Sequence, residues 1–576
     1  MRIAVAADGP TGGLICPLAD DCAPARPPER VDDLAAAMAA RERAEAPRWV
    51  WASAGRIYPA LVRAGVRLAS CHDVELTEAV LLGHQGRFGE DASLEAAWAR
   101  SAAVAGDDTA ARRAGMRGAA AVPGRAGSVG TRTAHPAGSA QTELFPIPRR
   151  DLPSARDELD AVIAVHADQL ARVGDAEQPR LLSLLVAAES AGGLTAVEMT
   201  ADGVPWRRDV HDRLLTEVLG PRPVAGMRPR RLADLAERIR AALEAPALNP
   251  DSPAQLMKAF AAQGIALRST RAHALRDVRH PAVPLLLEYK ELARLYAADG
   301  WEWLDTWVAD GRFRPEYVVG GVVSGRWASR GGGALQIPKF LRRAVVADPG
   351  WVLVVADAAQ LEPRVLAALA GDRVFAQAAA AGDLYAALAG ALGGDRDKAK
   401  VALLSAMYGG AGGEAGQLLA VLRRRFPVAA RFVDDAARAG EEGRIVRSRL
   451  GRTCPPPSAQ WRELTGDGAD PRAGQALRSR GRFTRNFVVQ ASAADWALVL
   501  LASVRRGLAR LGGDERAHLV FFQHDEIVVH SPAALADQVV RVVSGAADEA
   551  GRLVFGPGPV RFPLPVSVVT CYADAA

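Results

Sequence analysis

Lysine is what this 576-residue chain most nearly does without. It has five, Lys258, Lys290, Lys339, Lys398 and Lys400, among 71 basic residues, so arginine carries almost all of the positive charge. An ammonium is a compact point charge that a guanidinium imitates poorly. Two of the five stand together at 398 and 400, so Lys400 is expected to be there for its chemistry. Cysteine is nearly as scarce. Cys16, Cys22, Cys71, Cys454 and Cys571 are scattered, odd in number and without paired zinc spacing, which argues for ordinary reduced thiols. No apolar run reads as long enough, free of charge, to cross a bilayer. The opening Met1 to Pro10 reads as a short strand entering a turn, without the apolar core of a secretory leader. A cytoplasmic monomer with no membrane partner is expected.

What is present divides along the chain. The length implies roughly two to four domains, and 49 % hydrophobic residues allow each a sizeable core. A net charge of +5 says little, but its distribution says more. Residues 312–343 hold Arg312, Arg314, Arg326, Arg330, Lys339, Arg342 and Arg343 against the single acid Glu316. Arg444, Arg447, Arg449 and Arg452 form a second cluster, and Arg478, Arg480, Arg482 and Arg485 a third. A nucleic-acid backbone would require such clusters; an arginine-rich surface from a GC-rich genome would also produce them. Residues 1–95 read as a small α/β domain, with apolar Trp49-Val50-Trp51 and a helical stretch from Leu76 to Leu82. Residues 96–150, rich in Ala, Gly, Arg, Ser and Thr, read as a flexible linker. From Asp151 onward helical periodicity dominates.

Three short stretches carry chemistry. Val352 to Asp357 is an apolar run ending in a carboxylate and followed by Gln360-Leu361-Glu362-Pro363-Arg364. A buried strand that ends in aspartate places that side chain at a sheet's edge. Asp525 lies between the β-like runs Leu519 to Gln523 and Ile527 to Val529, at a hairpin tip, with His524 and Glu526 on either side. Between these two, Arg396, Lys400, Leu404 and Tyr408 recur every four residues and share one helical stripe. Phosphoryl transfer to a hydroxyl uses two divalent cations about 3.5–4 Å apart, and hard cations want oxygen ligands. Two converging carboxylates and a cationic helix therefore point to nucleotidyl transfer. Read singly, each aspartate is a turn former or helix cap, and the helix a solvated basic face.

In this order the three stretches resemble motifs A, B and C of family A DNA polymerases. The resemblance implies an α+β chain. A degenerate ribonuclease H-like exonuclease domain (1–95) and the linker (96–150) would precede the thumb and start of the palm (151–325). The palm, built on an antiparallel sheet, and reduced fingers would fill 326–576. By resemblance Asp357 and Asp525 bind two Mg²⁺, Glu526 is an accessory acid at the primer terminus, and Lys400 serves both catalysis and nucleotide binding. Arg396, Lys400, Leu404 and Tyr408 would meet the incoming dNTP, with Gln360 and Glu362 beside it; Glu362 matches the glutamate that closes off space for a 2′-hydroxyl. Arg326, Gln336, Arg482, Asn486, Gln490 and His524 fall in segments that contact primer–template DNA. Thumb-like phrases run from Leu248 through Ser269 and His280 to the helix around Tyr289.

Departures matter equally. Leu404 replaces an aromatic residue, and a leucine cannot stack as that ring does. Pro363 replaces an aliphatic residue within a first helical turn, where proline is tolerated. The first strand runs into Ala7-Asp8-Gly9-Pro10 without the Asp-x-Glu pair of a proofreading site. Cys71 to Glu78 resembles the sequence just beyond the second exonuclease motif, and Pro59 stands where a metal-binding aspartate would follow Tyr58. The resemblance thus implies a DNA-directed DNA polymerase without proofreading, suited to repair or gap filling. Two other classes use parts of the same residues. One is a primer–template-binding protein of polymerase fold with weak or lost catalysis. The other is a metal-dependent hydrolase built on His524, Asp525, Glu526 and His530, which leaves the lysine helix unexplained.

Overall fold

The computed structural model describes residues 1–105, 152–330, 333, 337–380, 383–390, 394–408, 420, 423–466, 470–512 and 515–575. They fall into two compact units. The first comprises Met1–Ala201, Tyr317–Ala328 and Ala356–Val566, and the second Asp202–Glu316, Ser329–Val355 and Ser567–Ala576.

The first unit opens with a five-stranded sheet in the order Glu29–Val31, Gly12–Leu18, Arg2–Asp8, Arg48–Trp51, Ser70–Asp73. The first three strands are antiparallel, and Arg48–Trp51 and Ser70–Asp73 then run parallel to Arg2–Asp8. Parallel neighbours need crossovers, and helices Leu34–Glu45 and Ala54–Arg63 supply them. Both sheet faces are covered. Ile3, Val5, Trp49 and Trp51 pack on one side with Leu61 and Leu194, and Ala4, Ala6 and Val50 on the other with Trp98, Val162 and Val165. Asp73 stops the last strand and starts helix Val74–His84, accepting from the Leu76 N–H at 2.9 Å and the Ala54 N–H at 2.7 Å.

Two expectations are corrected here. Residues 96–105 of the expected linker belong to helix Leu94–Ala105, because Leu94, Ala97 and Trp98 find apolar partners in this core; the rest of the linker, 106–150, lies outside the described residues. Two helices, Pro179–Asp202 and Ala473–Ala509, are long and apolar enough to cross a membrane by length and composition. Their apolar windows are 61 % and 89 % buried in protein, which is how a core helix passes the same test.

Helix Ala473–Ala509 is the spine of the remainder of this unit. Helix Pro427–Glu441 lies along it at the close approach of Gly440 to Thr484 and Arg480, and helix Ala536–Phe555 packs on its other end near Gly507. A hairpin of His518–Gln523 and Glu526–Pro532 lies in the same unit, which strand Trp351–Asp357 enters at Ala356. Three buried ion-pair centres tie sequence-distant segments together. Glu78 receives Arg100 and Arg172, Glu198 receives Arg505 and the Tyr58 hydroxyl, and Arg452 sits between Glu189 at 2.7 Å and Asp495 at 3.0 Å.

The second unit is mainly helical, with helices Arg208–Leu219, Arg230–Ala242, Pro253–Ala262 and Ala282–Asp299. Trp206, His211, Trp303 and Phe313 form its aromatic centre. The Asn-Pro-Asp-Ser-Pro phrase has a local physical reason. Ser252 caps helix Pro253–Ala262 with proline in the first turn, and Asp251 accepts from Tyr289 Oη at 2.9 Å and Arg228 at 2.6 Å.

Candidate active site

Strand Trp351–Asp357 buries Leu353, Val354, Val355 and Ala356 and then exposes Asp357. The chain turns at once. The Ala358 N–H donates to the Asp525 carbonyl at 3.2 Å, so the backbones of the two carboxylate-bearing ends are joined directly. Gln360 adopts the left-handed region (φ 57°) and helix Leu361–Ala370 begins. Pro363 falls among the first-turn residues whose N–H groups have no intrahelical acceptor, so the helix forms despite it. On the hairpin, Gln523 pairs with Glu526, His524 is left-handed (φ 58°), and Asp525 sits at the tip. Non-glycine residues in this region carry strain of order 1–3 kcal/mol, and here one adjoins each end of the carboxylate pair.

The electrostatics show how close the groups are. Burial, then the Asp357 charge, push the Asp525 carboxyl up to about 7; Arg326 opposes and Glu362 adds to the rise. Arg326 forms an ion pair with Glu362. Burial and then Arg326 push the His524 imidazole down. Asp357, Asp525, Glu362, Arg326 and His524, which are scattered in sequence, thus share one patch. Two carboxylates that destabilise each other's charge, held on fixed backbone, are a donor set suited to a hard divalent cation. Among the described residues no group of three or more His, Cys, Asp or Glu is placed to hold a metal ion by itself, so Asp357 and Asp525 would share a metal with water and phosphate oxygens.

Asp525→Asn follows with a sign. A carboxyl whose folded pKa is raised to about 7 loses stability as pH climbs from about 4 to 7, because only the folded state holds the proton there. The metal-free asparagine variant should therefore melt several degrees above wild type at pH 8 and level with it near pH 4. Calorimetry in EDTA at both pH values checks this, and equal melting at pH 8 would refute it.

Other expected residues sit differently. Gln360 donates to Asp383 Oδ1 at 2.6 Å and accepts from the Leu384 N–H at 2.9 Å, so its amide fastens the start of helix Leu384–Ala389. Asp383 also takes Arg396 Nε at 2.6 Å. Burial would raise the Asp383 carboxyl, but Arg396, the Ala386 N–H and Gln360 bring it down to about 2. Helix Arg396–Tyr408 holds all four residues of the expected stripe, with Arg396 and Lys400 exposed and Leu404 half-buried. The Tyr408 side chain and Gln336 lie outside what the structure describes. On helix Ala473–Ala509, Arg482 is exposed and bonds Ser479 Oγ at 3.0 Å, while Asn486 and Gln490 are half-buried on the same stripe. The Asn486 Oδ1 is buried without a hydrogen-bond partner. Glu526 is half-buried at the start of its strand.

Sequence reading quoted Arg364 without a role and missed Asp383 and Asp434. Arg364 is 2 % exposed and donates to the carbonyls of Ala359 at 2.9 Å, Arg561 at 3.1 Å and Ala379, clamping the turn after Asp357. An arginine inside the apolar stripe of Leu361 and Val365 was the available signal. Two arginines of the basic clusters are also not surface charges. Arg485 is buried, paired with Asp434 and bonded to the Met407 carbonyl at 3.2 Å, and the Arg452 side chain is only 11 % exposed between its two acids.

Comparison with known proteins places this geometry. The chain is 29 % identical over 360 residues to DNA polymerase I of Chloroflexus aurantiacus, covering 54 % of this chain and 36 % of that protein. It is 37 % identical over 118 residues to the thermostable DNA polymerase I of Thermus thermophilus, covering 18 % and 14 %. The chain thus spans little more than a third of the first relative's length. Among solved structures, the POL domain of Pol1 from M. smegmatis, in complex with DNA primer-template and dNTP, superposes with a TM-score of 0.69 at 20 % identity. That likeness covers all of this chain and 95 % of the other, and it shows a shared fold. The profile of DNA polymerase family A matches residues 227–571, more than half the chain and every carboxylate of the site, and the chain belongs to that family.

Proposed function

We propose that this chain is a DNA-directed DNA polymerase that adds dNTPs to a primer 3′-hydroxyl on a template, without proofreading, as a cytoplasmic monomer in repair or gap filling. The observation that carries the reading is the pair Asp357 and Asp525, joined through Ala358 and close enough for one charge to raise the other's pKa. Asp357 and Asp525 would hold two Mg²⁺, with Glu526 beside them. When bound, the metal supplies charge neutralisation at the reacting phosphate and a more acidic 3′-hydroxyl. Lys400, exposed on its helix, grips the nucleotide's terminal phosphates. Arg396, Leu404, Tyr408 and Gln360 shape the same pocket. The ion pair to Arg326 holds Glu362 in place, so that its carboxylate can exclude a 2′-hydroxyl. Arg482, Asn486, Gln490, Gln336 and His524 contact primer and template, and the unpartnered Asn486 Oδ1 suits a donor from a base edge.

For the chain's layout we propose an exonuclease-like N-terminal domain, a thumb within 151–325, and palm and reduced fingers beyond. Support for an inactive N-terminal domain comes from how its acids are engaged. Asp73 caps a helix, Glu78 is held by two arginines, and Asp8 pairs with Arg30 at 2.7 Å. Tyr58 is buried against Glu198.

A labelled primer on a templated overhang tests the reading. Extension with Mg²⁺ and dNTPs, abolished by EDTA, and a primer left unshortened when nucleotides are withheld are expected. Shortening would overturn the proofreading part. Absence of extension despite DNA binding would overturn the whole.

A further inference from the structure

Away from the carboxylates, the first unit holds a cavity of about 240 Å³ between helices Leu361–Ala370 and Arg373–Ala380 on one side and the end of helix Ala536–Phe555 with its following loop on the other. Its floor is aromatic. Phe555 and Phe562 stack with ring centroids 5.0 Å apart at 14°, and the approach of Phe562 to Gly551 leaves no room for a larger residue there. Its rim is cationic, with Arg373, Arg552 and Arg561 exposed against one acid, Asp548. Elsewhere in the fold several arginines are tied to acids, as at 312, 326, 396, 452, 472, 485 and 505. These three make no ion pair among the described residues.

Size decides between ligand classes. Small-molecule sites run from roughly 300 to 1,000 Å³, and this cavity is smaller, matching one large side chain rather than a nucleotide. An aromatic floor and a ring of unpaired guanidinium groups complement an extended segment with an aromatic anchor and flanking carboxylates. We propose that the cavity is a docking site for an acidic peptide segment of a partner protein, which seats one aromatic side chain over Phe555 and Phe562 and lays its carboxylates on Arg373, Arg552 and Arg561. The loop that forms the wall is bonded to the turn after Asp357, through Ala359 N–H to the Pro563 carbonyl at 3.1 Å and Arg364 to the Arg561 carbonyl at 3.1 Å. A partner held here is anchored to the loop bonded to the turn after Asp357, and neither Asp357 nor Asp525 lines the cavity.

The test uses the full chain and a fluorescein-labelled synthetic peptide of aspartates and glutamates with one phenylalanine, followed by anisotropy. Binding should saturate, weaken with salt, and be lost when the phenylalanine is replaced by alanine or the acids by lysine. The double variant Arg373→Glu/Arg552→Glu should weaken it at least ~10-fold, as charge reversal at desolvated contacts does. Gly558→Trp, which fills open space without changing charge, should do the same. Both variants should keep wild-type primer extension, which shows that they fold. Equal peptide affinity in either variant, indifference to the phenylalanine, or displacement of the peptide by a single-stranded oligonucleotide would each overturn the proposal, the last by making this a nucleic-acid surface.

Discussion

Alanine in place of Asp357 should leave primer–template affinity within about twofold and lower single-turnover extension about 10³-fold, the scale at which a preorganised charge at the reacting centre acts. Asp357 leaves the sheet at the end of a strand whose last four residues before it are buried, so little backbone movement can compensate for its loss. The side chain is exposed, so its truncation opens no core cavity and stability should hardly change. Its charge is also one reason the Asp525 carboxyl is raised. In the Asp357→Ala variant Asp525 should therefore titrate lower, which carboxylate-selective NMR would detect alongside the rate. More Mg²⁺ should not rescue extension, because a ligand rather than ion occupancy has been lost. A rate within tenfold of wild type would remove Asp357 from the reaction.

The second large effect is on stability. Replacing Arg452 with methionine should destabilise the first unit by about 3–5 kcal/mol, since it strands Glu189 and Asp495 as unpaired buried carboxylates. Burial pushes both carboxyls up, and the Arg452 guanidinium between them is what opposes it. Ser448 Oγ and the Leu450 backbone also bond Asp495, so the loss would reach the basic loop as well. Urea unfolding followed by tryptophan fluorescence measures the effect. The triple change Arg452→Met, Glu189→Gln, Asp495→Asn should recover much of it, because the harm comes from the uncompensated charges rather than from the missing cation. Arg452 also floors the loop that carries Arg326. A Cβ on Gly325 would lie 2.2 Å from Arg452 Nε. Extension by the single variant should accordingly fall about tenfold even where it remains folded. A loss under ~1 kcal/mol would show the network to be dispensable.

The local parts of this site were legible in sequence because short-range physics sets them. A continuously buried apolar run ends at Asp357, a hairpin turns at Asp525, and a stripe of residues four apart lies on helix Arg396–Tyr408. What escaped was pairing over distance. Arg396 looked like a phosphate ligand, yet Asp383 claims it, and Asp383 also claims Gln360. Arg452 and Arg485 looked like members of basic surfaces, yet acids far along the chain, Glu189 and Asp434, draw them inside. Composition records a charge but not its partner. The same gap explains helix Leu94–Ala105, whose alanine-rich sequence gave no hint of the core waiting for Trp98.

The order of segments in the first unit has a consequence for how the protein is made. Helix Pro179–Asp202 emerges from the ribosome early, but Gly192 on it packs against Val319, Trp327 and Leu498. At ~5–20 residues per second, translation takes on the order of tens of seconds to reach the last of these. Through that interval one of the chain's most apolar helices has no complete partner surface. The nascent chain should therefore be a client of co-translational chaperones, and its yield should depend on translation speed more steeply than its final stability suggests.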